Sequence, residues 1–159
     1  GCYAEGGSIS GNWFVGGLVG SNYGTITNCY STGTVSGTDW AVGGLVGYNG
    51  GTISKCYCSS DVTGHGGEYE GSLGLGGLVG VLGWGATITN CYSTGSVSGD
   101  YWVGGLVGVC WGTISDCYAN GSVSGDYWVG GLVGDNVNEW GNLGVTTTSF
   151  WDIETSGQT

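Results

Sequence analysis

Cysteine is the residue type in this sequence that could form disulfides or bind metal ions. Five of the seven cysteines occupy one repeated position before a Tyr. On neighbouring turns of a repeat structure they would form a ladder with Cα atoms about 4.8 Å apart. That spacing lies within the disulfide range, but in-register neighbours seldom aim their Cβ atoms suitably. We favour the alternative that these residues serve as small buried apolar side chains. The predicted ladder consists of Cys2, Cys29, Cys56, Cys91 and Cys117.

Metal chemistry is weakly indicated. The sequence has no Cys-x-x-Cys pair and a single His, so a zinc site is not expected. Seven is an odd number, so at least one thiol stays free or pairs between chains. Carboxylates on three nearly equivalent turns are candidate Ca²⁺ ligands, but no calcium-loop pattern is present, and solvated turns are the favoured interpretation. We therefore predict no cofactor; the turn residues are Asp39, Asp100 and Asp126.

Catalytic groups are scarce. The only His, His65, lies close to Glu68 and Glu70 in an insertion, and Lys55 is the only basic side chain. A nucleophile–base pair or a polysaccharide-cleaving site normally needs Arg, Lys or further convergent groups. We predict that the chain is not an enzyme and that it has no catalytic residue.

Aromatic residues are the best candidates for a binding surface. A first column lies two residues before a Gly-Gly pair, and a second column lies one residue earlier: Trp13, Trp40, Leu73, Tyr101 and Tyr127. Neighbours in a strand face opposite ways, so one of the two columns should point outward and offer a platform for sugars or proteins. The alternative is that both columns pack. The predicted binding residues, from the first column, are Phe14, Trp102 and Trp128.

These side chains must be positioned by a repeat. Gly-Gly-Leu-Val-Gly occurs five times, at steps of 27, 33, 28 and 26 residues: Gly16–Gly20, Gly43–Gly47, Gly76–Gly80, Gly104–Gly108 and Gly130–Gly134. Four of the copies are followed by a Thr-Ile-x-x-Cys-Tyr segment and then by a Ser-Val-Ser-Gly segment or a close variant of it. Gly interrupts any helical pattern, and the remaining residues favour strands. Each repeat of about 27 residues should therefore hold three short strands.

Repeats of this size predict an all-β fold, a β-solenoid of about five to six rungs. Equivalent residues then stack in columns, one of Leu and one of Ile. We expect one domain over residues 1–159, with rungs at roughly 2–28, 29–55, 56–90, 91–116 and 117–148 and a partial rung at 149–159. An antiparallel meander with one hairpin per repeat is the competing interpretation. Two longer repeats place insertions around His65–Glu70 and Asp135–Asn142, where solenoids often bind ligands.

Composition limits the partners. The formal net charge is −11, so neither nucleic acid nor an anionic membrane surface is an expected partner. No apolar run approaches the roughly 20 residues that span a bilayer. The chain contains no Met, and we expect it to be a mature or trimmed product.

The repeat resembles the GLUG motif. The resemblance is carried by Gly-Gly-Leu-Val-Gly, Gly-Thr-Ile, Asn-Cys-Tyr-Ser-Thr-Gly and Val-Ser-Gly, and it covers nearly the whole chain. That motif occurs in large secreted and cell-surface proteins of bacteria and archaea, including adhesin-like proteins and some immunoglobulin A peptidases. The resemblance implies a prokaryotic extracellular or cell-surface module rather than a catalytic one.

Two functions are expected from these features. The first is a structural or adhesive extracellular module. If its rungs lack caps, unpaired backbone groups would recruit further chains head to tail into a filament or sheath. The second is a domain that binds carbohydrate or host protein through the outward aromatic column.

Overall fold

The computed structural model describes residues 1–65, 74–136 and 143–158, which wind into stacked β rungs. The first two rungs contain β1 (Tyr3–Ala4), β2 (Ser8–Gly11), β3 (Val15–Gly16), β4 (Val19–Asn22), β5 (Thr25–Thr27), β6 (Tyr30–Ser31), β7 (Thr34–Gly37), β8 (Val42–Gly43), β9 (Val46–Asn49) and β10 (Thr52–Ser54). The third contains β11 (Tyr57–Cys58), β12 (Asp61–Gly64), β13 (Leu75–Gly76), β14 (Val79–Leu82) and β15 (Thr87–Thr89). The remainder are β16 (Tyr92–Ser93), β17 (Val97–Gly104), β18 (Val107–Cys110), β19 (Thr113–Ser115), β20 (Tyr118–Ala119), β21 (Val123–Gly130), β22 (Val133–Asp135), β23 (Val145–Thr147), β24 (Phe150–Trp151) and the helix α1 (Ile153–Ser156).

The strands form four sheets, in which each strand pairs with its equivalents on the neighbouring rungs. The sheet orders are β1-β6-β11-β16-β20-β24, β23-β19-β15-β10-β5, β22-β18-β14-β9-β4, and β2-β7-β12-β17-β13-β8-β3 with β21 beside β17. The pairs between β5 and β10 and between β10 and β15 are parallel and in register, as are their counterparts in the other sheets. The predicted all-β solenoid is therefore confirmed, and the antiparallel meander is wrong.

Each rung is divided more finely than the three predicted strands, because the early rungs contain five strand segments. The Thr-Ile-x-x-Cys-Tyr segment bends at the residue before its Cys, which takes a positive φ of 44–54° in every rung. Asn and Asp tolerate this left-handed conformation better than other L-residues, which explains their frequency there. The residues at this bend are Asn28, Lys55, Asn90, Asp116 and Thr148.

Two apolar cores run along the solenoid. The larger core contains the predicted Leu and Ile columns together with the buried cysteines, and Leu45, Leu78 and Ile88 are fully buried within it. The smaller core packs valines of the Ser-Val-Ser-Gly strands against the residue before each Gly-Gly pair, as Val35 does with Val42. Like residues stack on like, so the core keeps one cross-section from rung to rung.

The Gly-Gly pair separates the two cores because its backbone lies too close to its neighbours for a side chain. A Cβ added to Gly44 would fall on the carbonyl oxygen of Gly77 and on Sγ of Cys58. Ser31 Oγ also donates to the carbonyl of Gly44 at 2.5 Å. The glycines of these pairs do not have positive φ values, so the requirement for Gly here is steric.

The two ends of the solenoid differ. At the C-terminal end the Trp151 ring lies against Gly131, and α1 follows with Asp152 as its N-cap. Gln158 Nε2 then donates to the carbonyl of Val123 at 3.1 Å, which ties this segment to β21. This helix was not predicted from the sequence, because a single helical turn has no periodicity to detect.

Some predicted features lie outside the described residues. These are Leu73 of the second aromatic column, Glu68 and Glu70 beside His65, and residues 137–142 of the last insertion. Within the described ranges, no helix is long and apolar enough to cross a membrane.

The Gly-Gly packing is tested by Gly44→Ala. The added methyl has no space between Gly77 and Cys58, so we expect the free energy of unfolding to fall by about 1–3 kcal/mol. Urea denaturation followed by tryptophan fluorescence measures the change. Gly24→Ala is the matched control, since its nearest neighbour is Asn22 Oδ1 at 3.8 Å. Equal stability of the two variants would contradict the packing argument.

Candidate functional site

The predicted cysteine column forms an internal ladder of free thiols. The amide of Cys2 donates to Sγ of Cys29 at 3.2 Å, and the amide of Cys29 donates to Sγ of Cys56 at 3.4 Å. Each buried thiol donates in turn to the carbonyl two residues earlier, as Cys91 does to Thr89 at 3.1 Å. Ser149 takes the same place below Cys117, where its Oγ accepts from the Cys117 amide at 3.1 Å. Each buried thiol of the ladder therefore acts as a small side chain that forms hydrogen bonds with backbone amides and carbonyls.

The cysteines differ in their exposure to solvent. Cys2 is exposed, whereas the other six are buried, and all seven are free thiols. Cys58 and Cys110 belong to other columns, and burial raises the pKa of both thiols, that of Cys110 to about 11. These two buried thiols are consequently protonated and unreactive near neutral pH.

A column of stacked tyrosines runs along the outside of the solenoid. Ring centroids of Tyr30 and Tyr57 lie 4.9 Å apart at 5°, and those of Tyr92 and Tyr118 lie 4.9 Å apart at 4°. This surface was not predicted from the sequence. Its signal is the Tyr after every repeated Cys, because the neighbour of a buried strand residue points outward. The complete column is Tyr3, Tyr30, Tyr57, Tyr92, Tyr118 and Phe150.

One tyrosine of this column interacts with a carboxylate. The hydroxyl of Tyr30 donates to Oε1 of Glu5, and this hydrogen bond raises the pKa of Tyr30 to about 12. The phenolate would face the carboxylate charge, so the neutral phenol is the favoured form.

The predicted binding residues share an unusual backbone. Phe14, Trp102 and Trp128 have positive φ values of 47°, 47° and 51°. This conformation costs a bulky side chain about 1 kcal/mol or more. The positive φ also interrupts the alternation of inward and outward side chains along the strand. The aromatic residue directly before each of these positions therefore lies on the outside as well. The expectation that only one of the two columns faces outward is therefore wrong.

The exposure of these residues shows that both columns lie on the surface. Trp13 is 65% exposed, and Tyr127 and Trp128 are each 55% exposed. Phe14 and Trp102 are partly buried, because they pack against an outer cluster of Ala41, Val81 and Val109. We call the surface formed by Trp13, Phe14, Trp40, Tyr101, Trp102, Tyr127 and Trp128 the aromatic corner.

The acidic turns place carboxylates beside the aromatic corner. Asp100 and Asp126 immediately precede the Tyr-Trp pairs of β17 and β21, and Asp126 is exposed. His65 Nδ1 lies 3.7 Å from Oδ1 of Asp100. Within residues 1–65, 74–136 and 143–158, no three His, Cys, Asp or Glu side chains converge as metal ligands.

Comparison with known proteins gives one finding. A family model described as the GLUG motif matches residues 11–36, 38–63, 71–98 and 100–124. No curated protein and no solved structure has a significant match to the chain.

The burial of the thiols predicts how many cysteines a thiol reagent labels in the native protein. A thiol reagent such as Ellman's reagent should label one cysteine rapidly in the native protein, and seven after denaturation. Cys2→Ser should abolish the rapid phase without affecting the slow one. Rapid labelling of two or more thiols in the native protein would show that the ladder is not buried.

The Glu5–Tyr30 hydrogen bond predicts a pH dependence. Tyr30 has a raised pKa in the folded chain, so its stabilising contribution is complete below about pH 10 and is lost as the pH rises towards 12. In Glu5→Gln, Tyr30 should ionise at lower pH, as measured by phenolate absorbance. Glu154→Gln, which changes an exposed carboxylate on α1, serves as the control. An unchanged titration curve in Glu5→Gln would refute the assignment.

Proposed function

The chain belongs to the GLUG-motif family, and on that basis we propose that it is a structural and adhesive module of a prokaryotic extracellular or cell-surface protein. The observation that carries the proposal is the in-register stack of rungs from β1 to β24. Such a stack joins every rung to its neighbours by backbone hydrogen bonds and offers long continuous surfaces. Its mechanical role is to hold and display, and its outer columns supply the contact surface.

No catalytic role is proposed. His65 is 82% exposed, on an outer turn beside Asp100, where water surrounds the imidazole. The charge of −11 supports partners other than nucleic acid or anionic membranes, because electrostatic repulsion opposes both.

A filament is the second candidate function. It is favoured by the edge strands β3, β4 and β5, which in the described structure pair on one side only and leave Leu18, Val19 and Ile26 partly exposed. Such an edge accepts another rung by strand addition. The opposite end is covered by Trp151 and α1, which obstruct the surface that a second copy would use. Head-to-tail assembly would therefore require displacement of this cap.

The two candidates differ in particle size. We expect size-exclusion chromatography with light scattering, and electron microscopy, to show short rods about 25–30 Å long with or without reductant. Trp151→Ala, which removes the ring from Gly131, should increase association at high concentration. Trp84→Ala removes a Trp of 53% exposure elsewhere and is the control. Long filaments of the unaltered chain would favour the filament, and their loss on reduction would assign a linking role to Cys2.

A further inference from the structure

We propose that the two consecutive Asp-Tyr-Trp segments, Asp100–Trp102 and Asp126–Trp128, form a binding site for neutral glycans. This inference rests on the proposed adhesive function and names the surface and the ligand class that would serve it. The two segments lie side by side on β17 and β21, with Tyr101 paired in register with Tyr127.

The ring geometry of Trp128 differs from that of the tyrosine column and of Phe14, whereas Tyr101 and Tyr127 beside it are stacked, with centroids 5.0 Å apart at 11°. In the stacked column, rings such as Tyr57 cover one another at interplanar angles of 5–6°, so their faces are occupied and only their edges meet water. Phe14 is held edge to face by Trp40 and by Tyr48, at centroid distances of 5.2 and 5.6 Å. Neither arrangement leaves an open ring face for a sugar.

Trp128 is arranged differently. Its ring is tilted by 38–48° to Tyr101, Trp102 and Tyr127, with centroids 5.7–6.1 Å away, so these neighbours do not cover its face. The side chain remains 55% exposed, as does that of Tyr127. An open, amphipathic ring face suits the C–H face of a pyranose ring.

The backbone gives a second, independent observation. Trp102 and Trp128 hold positive φ values, which Gly or Asn would adopt more easily. Trp102 gains packing against Val81 and Val109, whereas Trp128 is mostly solvent-exposed and gains less. A strained, exposed aromatic residue is better explained by a contact with a ligand than by the stability of the fold.

Charge selects the ligand class. Asp126 is exposed immediately before Tyr127 and Trp128, and a carboxylate accepts hydrogen bonds but donates none. The ligand must therefore supply donors such as hydroxyl groups. The chain carries 12 acidic residues and one basic residue, so anionic glycans are repelled.

Size disfavours a protein partner. The exposed surfaces of the Tyr101, Trp102, Tyr127 and Trp128 side chains together amount to on the order of 400 Å², given side-chain areas of ~150–250 Å² each. A stable protein–protein interface buries about 800 Å² per partner. A patch of this size instead suits a few sugar units.

The test is titration of the full chain with neutral hexasaccharides of glucose, mannose, galactose and N-acetylglucosamine, and with an oligouronate as the anionic comparison. Isothermal calorimetry and tryptophan fluorescence are the readouts. We expect at least one neutral glycan to bind and the oligouronate not to bind. Trp128→Asn should weaken binding about tenfold, the loss expected for one stacking contact. Its thermal midpoint should be unchanged or raised, because Asn tolerates the positive φ.

Trp84→Asn is the matched control, since it removes an equally exposed Trp outside the site and should bind as the unaltered chain does. Failure of every neutral glycan to bind at millimolar concentration would overturn the proposal. Undiminished binding by Trp128→Asn would overturn the site, and preference for the oligouronate would overturn the ligand class. None of these outcomes affects the structural module, which the rod measurements test separately.

Discussion

The close approach of backbones at the Gly-Gly pair is the constraint on which the rest of the structure depends. Because no Cβ fits there, the pair can lie between the two apolar cores while neighbouring rungs remain in register. The last Gly of Gly-Gly-Leu-Val-Gly extends the same packing: a Cβ on Gly134 would lie 2.6 Å from the carbonyl carbon of Trp102. The glycine-rich motif thus positions both the interior and the strained aromatic residues.

Strict register has different consequences inside and outside. Inside, it aligns leucines, isoleucines and thiols, so the amide of Cys29 meets Sγ of Cys56 on the adjacent rung. Outside, the same register stacks the tyrosines face to face and removes their faces from solvent. Aromatic residues in a solenoid are therefore poor binding platforms where they stack, whereas the rings of Trp102 and Trp128, both residues with a positive φ, are tilted by 39° to each other.

The C-terminal cap bears on assembly. Trp151 occupies the position of Ala119 one rung further on, but its ring is too large for the interior and lies across the end instead. Because Trp151 replaces Ala at this position of the repeat, its side chain covers the end of the stack. The helix α1 and the hydrogen bond of Gln158 hold this segment in place. Trp151 and α1 therefore occupy the surface on which a further rung would pack at that end.

The repeat, the all-β stack and the buried Leu, Ile and Cys columns could be predicted from the order of residues, because a fixed period forces equivalent residues into equivalent environments. The order of residues also indicates a bend within the Thr-Ile-x-x-Cys-Tyr segment, because Ile and Cys lie three apart, but its position before the Cys is known only from the backbone angles. Tertiary structure decided the number of strand segments, the outward direction of both aromatic columns, the stacking of the tyrosines and the cap. These depend on backbone angles at single residues and on ring orientations across rungs, and neither leaves a periodic signal in the sequence.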